Sequence, residues 1–513
     1  MCDRCDGKIG GCGCGSRVTG LGGNGGGVGI PMHKIAEFAN TVNKDPNSRL
    51  VKSVLDKSLI DSVATDPDSP VQRVFKYLLT PNVLPLTNQQ YSGRCWIFSF
   101  TNLIKRKMIG KYNLLPTFKL SQKFVLMYDH IEKCNTLLEI LYFVMHKKNV
   151  PIASLEMLHL RSMYKGDGGT WDFFKNIVLK YGLVPYESYP DNMQSSHTHD
   201  LNEMLSDYIC AQSPAIHAAT TRAEFSKLKW DVLLNCYKML ESFLGAPPKT
   251  VTWRYSDNKG KVHECPPCTP LEFYEKYIKN LVDVSQYVAL INDPRQKYPY
   301  NRMYSVELLH NVLPADVADI DLTRLPTNKY FNVKTSIMRA AIFKSIKANT
   351  AVPFAGDASK FLRHTESRLD MDVHYNDFVP FDLIYPKKFL YENFISTNSH
   401  AMLFIGCNGE KDELQVENSW GKVMPATDVE LPEYPYLTMS DAWFEHYVGE
   451  IYVHISHLDA ATRKLYKQLS AKTSSYTFYP FYDVFGSVAT VTDDVKKPRL
   501  GGHKKRPTRK SNK

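Results

Sequence analysis

Three patterns in the sequence predict an α+β fold with a helical half, a large helical insert and a strand-rich half. After Cys95, apolar residues recur at spacings of three and four, which is typical of an amphipathic helix. Residues 186–345 continue mostly in helical patterns. From Ala351 to about Ile455, short apolar or alternating runs that end in Gly or Asn indicate strands. At 513 residues the chain is too long for one hydrophobic core and should divide into two or three.

The first segment, residues 1–30, is rich in glycine and poor in bulky apolar residues, which predicts a disordered arm rather than a domain. Cys2 and Cys5 form a C-x-x-C pair, and Cys12 and Cys14 form a C-x-C pair, so four thiolates are available to a zinc ion. The short spacing between the pairs would make a very small knuckle. We favour an unliganded arm and keep zinc as the alternative.

Residues 31–185 are predicted to form the helical half, with a helical lead-in up to about residue 70. A helix begins at Cys95, and its apolar stripe consists of Ile97, Phe100, Ile104 and Met108. A thiol at a helix N-terminus meets the positive end of the macrodipole and unpaired N–H groups, which favour the nucleophilic thiolate. A single cysteine is more often a small buried hydrophobe. The choice between these two interpretations depends on partners elsewhere in the chain.

Two predicted strands near the other end of the chain supply such partners. His400 begins one apolar run, and Asn418 lies at the end of another, just before Trp420. A cysteine nucleophile needs a base, and the base needs an orienting group, so His400 and Asn418 fit these two roles. A neutral amide fixes the imidazole without placing a second negative charge beside the thiolate. Taken singly, His400 is compatible with a core histidine and Asn418 with a turn residue.

Gln89 lies six residues before Cys95 and completes the candidate site. Its side-chain N–H and the backbone N–H of Cys95 would hold a developing oxyanion, and one such donor is typically worth about 2.7–4 kcal/mol of barrier. Alone, Gln89 is compatible with a surface amide. The order Gln, Cys, His, Asn in one chain favours a cysteine nucleophile with its complete catalytic set.

Gly168 and Gly169 precede a predicted helix in the run Asp-Gly-Gly-Thr-Trp, residues 167–171. One interpretation is a simple loop. In the other, the missing side chains let an extended substrate approach the backbone and pair with it like an added strand. The residues alone leave both interpretations open; the family resemblance described below favours the second, and with it Gly168 and Gly169 as substrate-binding residues.

The helical insert is predicted over residues 186–345 and carries no catalytic set of its own. Cys265 and Cys268 form a C-x-x-C pair, but neither a βαβ pattern nor a second pair surrounds it, so we predict a structural loop. Residues 346–458 are the strand-rich half that carries His400 and Asn418. Residues 459–489 are predicted to be a C-terminal arm, which the family resemblance described below directs toward the active-site cleft.

These motifs resemble those of the bleomycin hydrolase family, the hexameric branch of papain-like cysteine peptidases. Papain-like enzymes generally place the histidine about 130–150 residues after the cysteine, whereas 305 residues separate Cys95 and His400 here. Bleomycin hydrolases look similar, with a mostly helical insert between the halves of the core. Further stretches that resemble the family are residues 167–172, 269–274, 292–295 and 439–444. The similarity runs from about residue 71 to 489.

The resemblance implies a papain-like two-lobed fold, cysteine aminopeptidase activity on peptides and assembly into homohexamers. It also implies that no metal or organic cofactor is needed. The chain contains no apolar run long enough to span a membrane, and its N-terminus has no apolar stretch of the signal-peptide type. Eleven scattered cysteines are typical of a reducing compartment. We therefore expect a cytoplasmic protein without membrane contact.

The C-terminus departs from the resemblance. In bleomycin hydrolases the chain looks as if it ends in the cleft near the position of Ala489, and its carboxylate looks like the partner of the substrate's α-amino group. Here residues 490–513 follow and contain nine Lys or Arg, all of them after residue 495. Besides a solvated disordered tail, such a composition is compatible with phosphate-backbone binding or a nuclear address. The remaining body is nearly balanced in charge.

Two readings of function follow from these features. The first is a cysteine aminopeptidase that removes N-terminal residues through a thioacyl-enzyme, or an endopeptidase if the tail is not removed. The second is a nucleic-acid-binding or scaffold cage that keeps the fold and uses its tail for contact. Hydrolysis of an aminoacyl fluorogenic substrate, and its loss in Cys95→Ala, separates the two.

Overall fold

A computed structural model of the chain describes residues 29–56, 73–315, 321–363, 367–372, 374, 378, 383–421 and 436–486. Cys2, Cys5, Cys12 and Cys14 of the predicted arm, and the tail over 490–513, lie outside the described residues. The chain divides into two units between Ala64 and Thr65. The boundary falls within the segment 31–185, which the sequence predicts as one half.

The described part of the first unit is a pair of helices, α1 (Met32–Lys44) and α2 (Pro46–Leu55). Asp45 lies between them and caps α2, since its side chain accepts a hydrogen bond from the N–H of Asn47 at 3.1 Å. Neither helix contains a buried residue. The helical lead-in predicted from residue 31 is therefore present as far as the structure describes it.

The second unit contains the remaining helices and all described strands. Its helices are α3 (Cys95–Tyr112), α4 (Gln122–His146), α5 (Leu155–Met163), α6 (Trp171–Tyr181), α7 (Met193–Ser196), α8 (His199–Ala211), α9 (Ser213–Ala218), α10 (Arg222–Leu244), α11 (Pro270–Phe273), α12 (Thr335–Lys347), α13 (Lys387–Glu392), α14 (Asp441–Tyr447) and α15 (Ala460–Ser470). Its strands are β1 (Tyr77–Leu78), β2 (Arg254–Ser256), β3 (Val262–Glu264), β4 (Tyr287–Ile291), β5 (Arg302–Val306), β6 (Tyr330–Asn332), β7 (Val352–Gly356), β8 (Leu362–Arg363), β9 (Arg368–Leu369), β10 (His400–Cys407), β11 (Leu414–Glu417), β12 (Leu437–Met439), β13 (Val448–His454) and β14 (Thr477–Tyr479).

One mixed sheet organises the second unit. Its strand order is β14-β5-β6-β4-β13-β7-β10-β11-β12-β9-β8. Strand β1 pairs with the last two residues of β10, beyond the residues of β10 that pair with β7. Strands β7, β10 and β11 form an antiparallel set in which His400 pairs with Gly356 and Leu403 with Glu417. This register places the start of β10 near the end of β11.

Helix α3 lies in the core against this sheet. Most of its residues are buried, because apolar side chains occur on nearly every face of its first half. The hydroxyl of Ser99 donates to the carbonyl of Met402 on β10 at 2.6 Å. The helix N-terminus is thereby brought beside the first residues of β10.

The strands predicted in the strand-rich half are present with small shifts at their ends, as β7, β10, β11 and β13. The second part of the predicted helical insert differs from the prediction. Helices occupy most of residues 193–244, but residues 254–332 contain β2 to β6, and β4, β5 and β6 belong to the main sheet. Short apolar runs such as Tyr287–Ile291 are compatible with either a strand or a buried helix, so periodicity alone could not distinguish them.

The predicted C-terminal arm is described as far as Gly486. It consists of α15 and β14, which pairs in parallel with β5. Both carboxylate oxygens of Asp483 accept hydrogen bonds from the guanidinium of Arg295, at 2.8 and 2.9 Å. Arg295 is also paired with Asp293 at 2.9 Å. This buried ion-pair cluster fixes the C-terminal arm against the segment that follows β4.

Candidate active site

Cys95 is the first residue of α3 and is buried, with 4% of its surface exposed. The backbone N–H of Ala401, the residue after His400, hydrogen-bonds the thiol and favours its ionised form, as does the N–H of Trp96. Burial outweighs both donors and raises the pKa of Cys95 to about 11. The sequence predicted that the helix terminus would favour the thiolate. In the structure the desolvation of the sulfur is the larger effect.

His400 and Asn418 are in direct contact at the start of β10 and the end of β11. The imidazole Nε2 lies 2.8 Å from Oδ1 of Asn418, and because an amide oxygen only accepts, Nε2 carries the proton. The ring also stacks on Trp420, with centroids 4.6 Å apart. Burial lowers the pKa of His400 to about 4, although the bond with Asn418 acts in the opposite direction. The strand pair therefore orients the imidazole and shields it from water.

Glu417, the residue before Asn418, links this strand end to helix α3. The carboxylate of Glu417 forms a buried ion pair with Arg106 and accepts a hydrogen bond from the amide of Asn102 at 2.8 Å. Arg106 and Asn102 both belong to α3. This link across the two halves was not visible in the sequence, because more than 300 residues separate its members.

Gln89 is buried, and three hydrogen bonds fix its side chain and its backbone N–H. Its Oε1 accepts from the hydroxyl of Ser419 at 2.7 Å, and its backbone N–H donates to the carbonyl of Ser419 at 2.7 Å. One side-chain N–H donates to the carbonyl of Ser92 at 2.6 Å. An amide nitrogen carries two hydrogens, so the second remains available to an acceptor in the cleft. Ser419 fixes the orientation of the Gln89 amide. The sequence did not indicate this role of Ser419, although Ser419 directly follows Asn418.

Arg94 supports the turn between Gln89 and Cys95. It is fully buried, and its guanidinium contacts Asp191 at 2.6 Å and the hydroxyl of Ser92 at 2.9 Å. The hydroxyl of Ser92 in turn donates to the carbonyl of Gln89 at 2.5 Å. The turn that precedes the nucleophile is therefore fixed by a buried charge. Its sequence neighbours gave no sign of the partner at residue 191.

The two glycines predicted to bind substrate differ in their surroundings. Gly168 is buried, and its carbonyl accepts a hydrogen bond from Lys133. Gly169 is half-buried, and among the described residues no hydrogen bond engages its backbone. A Cβ at Gly169 would lie 2.5 Å from the indole of Trp96, so only glycine fits beside the residue that follows the nucleophile. Gly169 is thus the member of the pair with backbone groups free for a ligand.

The model of the Peptidase C1-like family matches residues 29–477 of the chain. The chain belongs to this family. Bleomycin hydrolase of Rattus norvegicus is 29% identical over 447 residues, which cover 84% of this chain and 94% of the relative. Aminopeptidase C of Listeria monocytogenes is 28% identical over 446 residues, covering 86% and 96%. These relatives confirm the resemblance to bleomycin hydrolases.

Among solved structures, PepW of Lactobacillus rhamnosis HN001 superposes with a TM-score of 0.80. The sequence identity is 24%, and the match covers 90% of this chain and all of that one. At this identity the comparison establishes the fold alone. It confirms the α+β papain-like fold predicted from the sequence.

Within the described residues, no group of three or more His, Cys, Asp or Glu side chains is placed to hold a metal ion. Cys265 and Cys268 are free thiols in a loop that pairs with Val251 and Trp253 through backbone hydrogen bonds. The four N-terminal cysteines lie outside this search. No helix in the described part of the peptidase chain is long and apolar enough to cross a membrane.

Proposed function

We propose that Cys95, His400, Asn418 and Gln89 form the catalytic centre of a cysteine aminopeptidase. Membership of the Peptidase C1-like family and the relatives named bleomycin hydrolase and aminopeptidase C support this activity. The observation that carries the residue assignment is the His400–Asn418 hydrogen bond at 2.8 Å, formed beside the helix that begins at Cys95. The chain supplies a nucleophile, a base and an orienting group in one buried place.

The first half of the reaction forms a thioacyl-enzyme. The thiol of Cys95 gives its proton to Nδ1 of His400, since Nε2 is engaged by Asn418, and the sulfur attacks the scissile carbonyl carbon. The free N–H of Gln89 and the backbone N–H of Cys95 hold the resulting oxyanion. His400 then protonates the leaving amine, and the C–N bond breaks. Water, deprotonated by His400, hydrolyses the thioester and restores the thiol.

Burial disfavours the charged form of both Cys95 and His400. A thiolate and an imidazolium therefore depend on each other and on surrounding donors, such as the N–H of Ala401. We propose that the two groups exchange one proton during the reaction.

For substrate binding, we propose that the backbone of Gly169, rather than that of Gly168, pairs with an extended chain. The carbonyl of Gly168 already accepts from Lys133, whereas Gly169 keeps both of its backbone groups. Gly168 then acts as the fixed neighbour of the pairing residue.

The test uses an N-terminal aminoacyl fluorogenic amide and the variants Cys95→Ala and His400→Ala. Both variants are expected to lose hydrolysis, while a folded far-UV spectrum is retained. Activity that survives in Cys95→Ala would refute the assignment of the nucleophile.

Removal of single N-terminal residues, rather than internal cleavage, is proposed to depend on the tail after Ala489. The nine Lys or Arg of the tail would repel the ammonium group of a substrate. We therefore propose that Cys95 trims the chain near Ala489 or Thr490 and exposes a carboxylate for the substrate's amino group. Intact masses of wild type and Cys95→Ala decide: only wild type should lose about 24 residues. Equal full-length masses together with robust aminopeptidase activity contradict the trimming.

A second function is proposed for the same tail. Nine Lys or Arg within residues 490–513 favour nucleic-acid phosphates, and such binding weakens steeply with salt. Deletion of residues 490–513 should reduce both the DNA affinity and its salt slope. Unchanged values would assign the contact to another surface. We also propose that the protein resides in the cytoplasm and, through its tail, in the nucleus. Assembly into homohexamers is proposed as well.

A further inference from the structure

The loop of residues 166–169 contacts residues that lie before and after the nucleophile Cys95 in the sequence. The carboxylate of Asp167 accepts the backbone N–H of Gly93 at 2.8 Å, and its carbonyl accepts the indole N–H of Trp96 at 2.8 Å. Gly93 precedes Cys95 by two residues and Trp96 follows it directly. The position of Asp167 therefore determines where the backbone around the sulfur lies.

Lys133 on α4 lies behind this loop and fixes it. Its ammonium group donates to the carbonyl of Gly168 at 2.5 Å and to that of Gly166 at 3.4 Å. These two carbonyls flank Asp167 on either side. The side chain of Lys133 is 5% exposed, so it contacts the inner face of the loop rather than a ligand in the cleft.

Asp129, one turn earlier on α4, balances the charge of Lys133. The carboxylate lies 2.6 Å from the ammonium nitrogen and is fully buried. Its other oxygen accepts from the amide of Asn311 at 3.2 Å. Burial raises the pKa of Asp129, and Lys133 acts in the opposite direction. An ammonium group at this depth without a counter-ion would be strongly destabilising.

From these contacts we propose that Lys133, paired with Asp129, is a positioning residue of the peptidase active site. It holds the carbonyls of Gly166 and Gly168 and thereby holds Asp167 against Gly93 and Trp96. The inference rests on the proposed role of Cys95. Its consequence is that a buried lysine remote from the cleft controls the reactivity of the sulfur.

The test begins with Lys133→Met, which keeps an unbranched side chain and removes the donor. Displacement of reacting groups by about 1 Å costs about 100-fold in rate. We therefore expect kcat to fall about 100-fold, and the rate of Cys95 alkylation by iodoacetamide to fall with it. Both are measured on the full-length protein, with Tm recorded beside them.

Lys229→Met is the matched control. Lys229 is also nearly buried and ion-paired with an acid on α4, Glu139, at 2.7 Å, but it has no contact with the loop. Its loss should lower Tm and leave kcat and the alkylation rate within about twofold of wild type. Equal losses of kcat in Lys133→Met and Lys229→Met would overturn the proposal.

The double variant Asp129→Asn with Lys133→Met separates positioning from stability. Lys133→Met leaves a buried carboxylate without its partner, which lowers stability by itself. Neutralising that carboxylate should restore Tm but not kcat, because the carbonyls of Gly166 and Gly168 still lack their donor. Recovery of kcat together with Tm would reduce Lys133 to a structural role.

The variants Cys95→Ala and Lys133→Met distinguish a wrong positioning role of Lys133 from a wrong assignment of the nucleophile. If Cys95→Ala abolishes hydrolysis while Lys133→Met behaves like Lys229→Met, only the positioning role is wrong. If Cys95→Ala retains hydrolysis, the proposed nucleophile is wrong, whatever Lys133→Met does.

Discussion

The helical half and the strand-rich half hold their parts of the candidate site in different ways. On the helical side, buried charged side chains fix loops: Arg94 holds the turn before Cys95, and Lys133 holds the loop that contains Asp167. On the strand side, the pairing of His400 with Gly356 on β7 and the stacked ring of Trp420 place His400. A nucleophile in a turn between a loop and a helix is thus held by side-chain contacts. A base on a strand is held by the backbone hydrogen bonds of the sheet.

The two halves also meet through specific bonds. Ser419 orients Gln89, and Glu417 pairs with Arg106 on α3. Glu417 and Ser419 flank Asn418 in the sequence. The strand end therefore orients the imidazole, the oxyanion donor and the nucleophile's helix at the same time.

The largest expected effect comes from the strand side. His400→Ala should lower kcat by a factor on the order of 10⁶, as loss of the base does in other triads. Because β10 is held by its backbone pairing, Tm should change little. Steady-state hydrolysis of an aminoacyl fluorogenic amide measures the first quantity and calorimetry the second. A large fall in Tm would mean that the ladder does not place His400 independently of its side chain.

A smaller effect is expected where the two halves meet. Gln89→Ala should lower kcat about 10²- to 10³-fold, because one oxyanion donor is lost. Ser419→Ala keeps that donor but frees the amide to turn, so the loss should be about tenfold and confined to kcat. Equal losses in both variants would mean that the hydroxyl of Ser419 does more than orient Gln89.

On the helical side, Gly169→Ala should lower kcat/KM about 100-fold. Its Cβ would overlap the indole of Trp96, which is held by Asp167 and is next to Cys95. Gly110→Ala is the control in the same helix as Cys95, since nothing lies within 4 Å of the added Cβ. The control should stabilise α3 by about 0.5–1 kcal/mol and leave kcat/KM unchanged.

The smallest effect on catalysis is expected at Glu450 on β13. Burial raises the pKa of Glu450 to about 7 from its usual value of 4.5, with Tyr452 acting in the opposite direction. The native state then binds more protons than the unfolded state, so this group makes the free energy of unfolding fall by about 3 kcal/mol from pH 4.5 to 7. In Glu450→Gln this contribution should vanish while kcat is kept. Denaturant titrations at several pH values measure the difference, and parallel pH profiles would contradict it.

The sequence predicted the residues whose chemistry is local and missed those whose role comes from distant contacts. Cys95 was found from its helix, and His400 and Asn418 from short strands that end in recognisable residues. Lys133 could not be found, because its partners Gly166 and Gly168 lie on a different segment and only the fold brings them together. Strands β4 to β6 were missed for a related reason. A five-residue apolar run becomes a strand only when neighbouring strands are available.

A titration of activity against alkylation of Cys95 tests whether this thiol is the nucleophile. Iodoacetamide is added in portions, and peptide mapping separates Cys95 from the more exposed thiols of Cys210 and Cys265. The residual aminopeptidase activity should fall in proportion to modification of Cys95 and reach zero when that residue is fully modified. Activity that persists after complete modification of Cys95, or that follows Cys210 or Cys265 instead, would contradict a single centre built from Cys95, His400 and Asn418.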